Sequence, residues 1–92
     1  MAKPDSSTPL YGIAVAAQLV DLPEPTLRLL ESKGLLNPSR TAGGTRRYSE
    51  DDVARLRRIA DLRDDGVNVE GIRRILHLQD ENQELRDTMG SD

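Results

Sequence analysis

The 92-residue chain has no cysteine and a single histidine, His77. A disulfide framework is excluded, and so is any zinc or thiol chemistry built on cysteine. No apolar run approaches the roughly 20 residues needed to span a bilayer. Met1 to Pro9 is polar and rich in Pro and Ser, without the apolar core of a secretion signal. The sequence also offers no nucleophile–base pair and no metal-ligand set, and Gly43-Gly44 lacks the following helix and lysine that a phosphate-cradling loop requires. No catalytic residue, no metal and no cofactor is therefore expected, and an enzyme is not. A chain this short is expected to form one domain whose core supplies roughly 3–5 kcal/mol, so that stability leans on dimerisation or a bound partner.

What is present is charge, unevenly placed. The net charge is −3. Residues 1–48 nevertheless hold six Lys and Arg against four Asp and Glu, whereas residues 49–92 hold seven Arg against twelve acids. A phosphate backbone responds to a basic face, not to the whole-chain balance. The basic half contains the stretch that organises the chain, from Ile13 to Tyr48. It reads as a short helix, a turn, a second helix and a Gly-rich basic hairpin. Such a unit suits a DNA duplex, with the helix in the major groove and the hairpin on the neighbouring backbone. The expected fold is mostly α with a small β-hairpin wing, a winged helix-turn-helix.

In chain order, residues 1–10 have the composition of a disordered tail. Ile13, Val15, Ala16, Ala17 and Leu19 predict a small-residue helix, with Ala14 standing where a capping Ser or Asp would be preferred. Val20-Asp21-Leu22 turns the chain. Pro23 and Pro25 open the second helix, where a missing N–H is harmless. Leu27 and Leu30 share its inner face, and Glu24, Arg28, Glu31 and Ser32 or Lys33 point outward. Gly34 ends it. Leu35-Leu36 is a short apolar segment broken by Asn37-Pro38, Ser39 to Thr45 is a polar loop, and Arg46-Arg47-Tyr48 returns as a strand. An ordinary hairpin with solvated arginines is the alternative to a DNA-gripping wing.

Ser49 caps a third helix whose first turn, Glu50-Asp51-Asp52, suits the positive end of the helix dipole better than it suits a metal. Val53, Leu56, Ile59, Ala60 and Leu62 recur at helical spacing, and Arg55, Arg57 and Arg58 are expected on a solvated face paired with Asp51, Asp52 and Asp61. Asp64 to Val67 is a turn, and Asn68 caps a fourth helix with Val69, Ile72, Ile75 and Leu76 as its buried stripe. Ile75, Leu78, Asn82, Leu85 and Met89 then follow heptad spacing with one Asn in a core position. They are candidate dimer or partner contacts; the end of a helix packed on its own domain is the other reading. His77 is expected at the surface.

The order Tyr11-x-Ile13, Thr26-Leu27-Arg28, Glu31-x-x-Gly34-Leu35-Leu36, Pro38, Arg40, Gly44-x-Arg46-x-Tyr48-Ser49-x-x-Asp52-Val53 resembles the MerR family of bacterial transcription regulators over roughly residues 11–78. The segments beginning at Tyr11 and at Asp65-Gly66-Val67-Asn68 look most like its heat-shock repressor branch. The resemblance implies a DNA-binding domain over 11–78, between the tail at 1–10 and a short C-terminal helix and tail at 79–92. It implies binding of double-stranded promoter DNA as a homodimer on an inverted repeat, or as a head-to-tail array. By position it assigns Glu24, Pro25, Thr26, Arg28 and Lys33 on the second helix, with Arg40, Thr45, Arg46, Arg47 and Tyr48 of the wing, to DNA contact. It further implies a cytoplasmic, nucleoid-associated repressor of stress and chaperone genes, with a chaperone as co-repressor. Leu29 and Leu30 depart from the family, whose members usually carry one or two tyrosines after Thr-Leu-Arg. The alternative is an excisionase-like or array-forming architectural adaptor.

Overall fold

The computed structural model describes the backbone of residues 5–89 and the side chains of residues 5–82. In chain order it contains α1 (Ile13–Val20), α2 (Glu24–Ser32), β1 (Ser39–Arg40), β2 (Arg46–Arg47), α3 (Glu50–Asp64) and α4 (Val69–Met89). The chain falls into two compact units that divide within α3, after Asp61. No helix among the described residues is long and apolar enough to cross a membrane.

The first unit contains the helix-turn-helix and the wing. Helix α1 starts at Ile13 with Gly12 as its N-cap and no side-chain cap bond, the cap lying two positions before the Ala14 expected there. Ala16, Ala17 and Val20 are buried on α1, and Leu27 and Leu30 on α2. The small alanine side chains let the two helices approach and pack together. Asp21 ends α1 in the left-handed region, at φ 56. There its amide donates to the Gln18 carbonyl and the Leu22 amide donates to that of Ala17. Helix α2 ends in the same pattern: Gly34, at φ 78, donates to Glu31 O, and Leu35 donates to Leu30 O. Pro23 is the N-cap of α2, and Pro25 sits in its first turn, as the sequence predicts.

The reciprocal closure lies at the start of α3. The Ser49 amide donates to Asp52 Oδ2 at 2.9 Å, and the Asp52 amide donates to Ser49 Oγ at 3.1 Å. Two amides that a helix start leaves without partners are thereby satisfied. Val53, Leu56 and Ile59 are buried on α3. Arg55 departs from the expected solvated face. It is half-buried, and its Nε donates to the Leu35 carbonyl at 2.7 Å, because the chain leaving α2 presents that acceptor to α3.

The segment expected as a tail is described from residue 5. From residue 5 onward it is tied by backbone bonds: Asp51 N–H donates to Ser6 O, and the amides of Leu10 and Tyr11 both donate to Tyr48 O. The Tyr48 amide returns a bond to Tyr11 O at 2.7 Å. Tyr11 thus forms a bridge on the strand that leaves the wing. Residues 1–4 of the expected tail lie outside the described residues.

In the second unit Leu62, Ile72 and Leu76 are buried. Asn68 caps α4, its Oδ1 accepting the Gly71 amide at 2.8 Å. The short helix expected from residue 79 is not a separate element, since α4 continues unbroken from Val69 to Met89. No proline or glycine interrupts it between Ile72 and Met89. Ile75 is half-buried, Leu78 is 58% exposed and Asn82 is exposed. The side chains of Leu85 and Met89 lie outside the described residues. His77 is exposed and faces Glu81 at 3.1 Å.

Candidate nucleic-acid interface

Helical spacing sets the outer face of α2. Glu24, Arg28 and Glu31 stand at i, i+4 and i+7, one stripe along the helix. Arg28 Nη2 lies 3.6 Å from Glu24 Oε1, with the Arg28 side chain 50% exposed. Pro25 is exposed and Thr26 half-buried on the same first turns, and Lys33 is exposed at the far end.

The wing is a two-stranded antiparallel hairpin in which Ser39 pairs with Arg47 and Arg40 with Arg46. Its turn is closed by Thr41, whose amide donates to Thr45 O at 2.8 Å and whose carbonyl accepts the Gly44 amide at 2.9 Å. Gly44 takes φ 86, a conformation that a side chain would strain. Arg40 Nη1 adds a bond to the Gly44 carbonyl at 3.0 Å.

Successive side chains of a strand point to opposite faces, and β2 follows that rule. Arg46 turns toward α2, where its Nε donates to Glu31 Oε2 at 2.5 Å. Arg40, directly across the hairpin, donates through Nη2 to Glu31 Oε1 at 2.6 Å. One carboxylate therefore holds two wing arginines, each by a different oxygen. The Arg46 bond holds the Glu31 carboxyl below the usual carboxylate range, against the opposing effect of burial. The same bond raises Arg46 above its ordinary value. Arg47 is exposed on the other face of the strand.

The stripe on α2 and the wing arginines thus lie on a common side, joined through Glu31. Of the residues assigned to DNA contact, Glu24, Pro25, Thr26, Arg28, Lys33, Arg40, Thr45, Arg46 and Arg47 all keep exposed or half-exposed surface. Tyr48 does not. Its side chain is 0% exposed, so it cannot touch a duplex in this conformation, and the assignment is corrected. The reason is positional: Tyr48 follows the exposed Arg47 and turns inward, into the layer under the hairpin. Sequence reasoning placed Glu31 outward and gave it no role. The signal was available, because Glu31 is the only acid between Glu24 and Glu50 and a basic hairpin follows it.

Residues 11–79 match the family described as "MerR HTH family regulatory protein". The chain is 48% identical over 80 residues to the putative heat shock protein HspR of Streptomyces coelicolor, covering 86% of this chain and 53% of that protein. It is 40% identical over 77 residues to the transcriptional regulator GlnR of Bacillus cereus, covering 84% of this chain and 59% of that one. The chain thus spans somewhat more than half the length of these relatives. Among solved structures it resembles HiNmlR, a MerR family regulator lacking the sensor domain and bound to promoter DNA, with a TM-score of 0.71, 26% identity, and coverage of 88% of this chain and 67% of that one. It also resembles PbrR691 of Ralstonia metallidurans in complex with lead(II), with a TM-score of 0.75, 29% identity, and coverage of 89% and 68%. By the match over residues 11–79 and by these relatives, the chain belongs to the MerR helix-turn-helix family of regulatory proteins.

Proposed function

We propose that this chain is a sequence-specific DNA-binding transcriptional regulator, a repressor of stress and chaperone genes. The observation that carries the reading is the common side of α2 and the wing, on which Arg40 and Arg46 are held by Glu31 and Arg28 stands beside Glu24 on the same stripe of α2. Helix α2 enters the major groove, Arg28 and Thr26 approach base edges, and Arg40, Thr45, Arg46 and Arg47 grip phosphates of the adjoining backbone. The likeness to a putative heat shock protein supports the stress-gene assignment, and relatives named as regulators favour it over an architectural adaptor. Two copies bind an inverted repeat, held by α4 through Ile75, Leu78, Asn82, Leu85 and Met89, and a chaperone acts as co-repressor.

Binding titrations against promoter duplexes test this. Arg46→Ala should weaken binding to all sequences alike and reduce the salt slope by about one unit, because one phosphate contact is lost. Arg28→Ala should narrow the gap between operator and unrelated DNA. Unchanged affinity and salt slope in Arg46→Ala would reject the wing as a phosphate grip.

A further inference from the structure

The Arg40–Arg46 pair poses a physical problem. The two residues are direct cross-strand partners in a hairpin whose strands are two residues long. Like charges directly opposite each other destabilise such a pair, and so short a hairpin has little else to hold its strands together. Glu31 resolves the conflict from outside the hairpin. Its Oε1 accepts Arg40 Nη2 and its Oε2 accepts Arg46 Nε, so the two guanidinium groups share one counter-charge. Arg40 is fixed a second time through Nη1 to Gly44 O, at the wing tip. The Glu31 side chain is only 19% exposed, which shields these bonds from competing water.

A guanidinium carries five N–H donors. Arg46 uses Nε–H on Glu31, which leaves both terminal nitrogens for a phosphate. A carboxylate beside a phosphate-binding surface would, as bare charge, repel DNA. As a fixed acceptor it does the opposite, by holding two flexible side chains in one geometry before the ligand arrives.

We propose that Glu31 is a positioning residue for the wing: its carboxylate orients Arg40 and Arg46 for phosphate contact and couples the wing to α2. The inference rests on the DNA-binding reading above.

Positioning and bare charge predict opposite signs for Glu31→Gln, and for Glu31→Asp bare charge predicts no change. Glu31→Gln removes a negative charge near the phosphates and places an amide N–H₂ against one arginine. Glu31→Asp keeps the charge but withdraws the carboxylate by one methylene. Operator affinity is measured by titration for the wild-type chain and both variants, with thermal unfolding of each recorded in parallel. Positioning predicts roughly ten-fold weaker binding for both, the order set by one charge-assisted bond losing its geometry, at temperatures where each variant is fully folded. Equal or tighter binding in both variants overturns the proposal. A second measurement needs no DNA. In the free wild-type protein the Arg46 Nε–H proton should give a resolved, exchange-protected NMR signal, lost in Glu31→Gln. If the wild-type signal is absent, the positioning role fails. If it is present but the wild-type chain binds no duplex, the DNA-binding reading fails instead.

Discussion

Tyr48→Phe is expected to stabilise the protein. The Tyr48 side chain is fully buried, and among the described residues its hydroxyl has no hydrogen-bond partner. A buried hydroxyl left without a bond costs about 1–3 kcal/mol in desolvation. Phenylalanine keeps the ring, and with it the apolar contacts under the hairpin, while removing only the oxygen. The expected gain is about 1 kcal/mol, the low end of that range because the ring relaxes little around the lost atom. For a domain of this size that raises the melting temperature by roughly 4–8 °C. The pH dependence gives an independent reading. Burial pushes the Tyr48 hydroxyl above its ordinary value of 10.0, with Glu31 adding to the shift and Arg46 opposing it. A folded-state pKa raised above the unfolded one means that the folded chain holds the proton longer. The associated stability is therefore complete below pH 10 and is lost as the pH climbs through the folded value. Tyr48→Phe should flatten that alkaline decline relative to wild type. Tyr11, whose bond to Glu50 also raises its pKa, contributes equally to both proteins and cancels in the comparison. The assay is thermal and urea unfolding at pH 7 and across pH 9–11, with operator titration as a control that should not change. A loss of about 1 kcal/mol in the variant would show instead that the hydroxyl is bonded in the folded chain.

Ser49→Ala removes one half of the reciprocal closure at the start of α3, and should cost about 1 kcal/mol in urea unfolding. An unchanged midpoint would show that Asp52 alone satisfies that turn. Asp21→Gly relieves a left-handed residue with a side chain at the end of α1, and should raise stability by roughly 0.5 kcal/mol once the greater freedom of glycine in the unfolded chain is subtracted. A fall in melting temperature would mean that the Asp21 side chain makes a contact worth more than the strain.

Most of the elements and their ends were legible in the sequence, the start of α1 and the run of α4 past residue 79 being the exceptions. Pro23 and Pro25 mark the start of α2, Gly34 its close, Ser49 with Asp52 the start of α3 and Asn68 the start of α4, because each acts on backbone groups within three or four residues of itself. The helical spacing of Leu27 and Leu30, or of Val53, Leu56 and Ile59, likewise carries its burial in the chain order. The family resemblance was legible for the same reason, since its motif residues sit at fixed local spacings.

Which partners those elements present to one another depends on segments that meet only in the folded chain. Glu31 lies nine residues from Arg40 and fifteen from Arg46 in sequence, and helical spacing can say that it faces away from Leu27 and Leu30, but not that a hairpin folds back over it. Alternation along Arg46-Arg47-Tyr48 sets Tyr48 opposite Arg47 but does not say which face the core covers, so Tyr48 looked available. Its burial follows from the pairing with Tyr11, 37 residues earlier. Arg55 found the Leu35 carbonyl, twenty residues away. In each case the side chain's chemistry was fixed by its identity, while its partner was fixed by chain segments that meet only when the core closes.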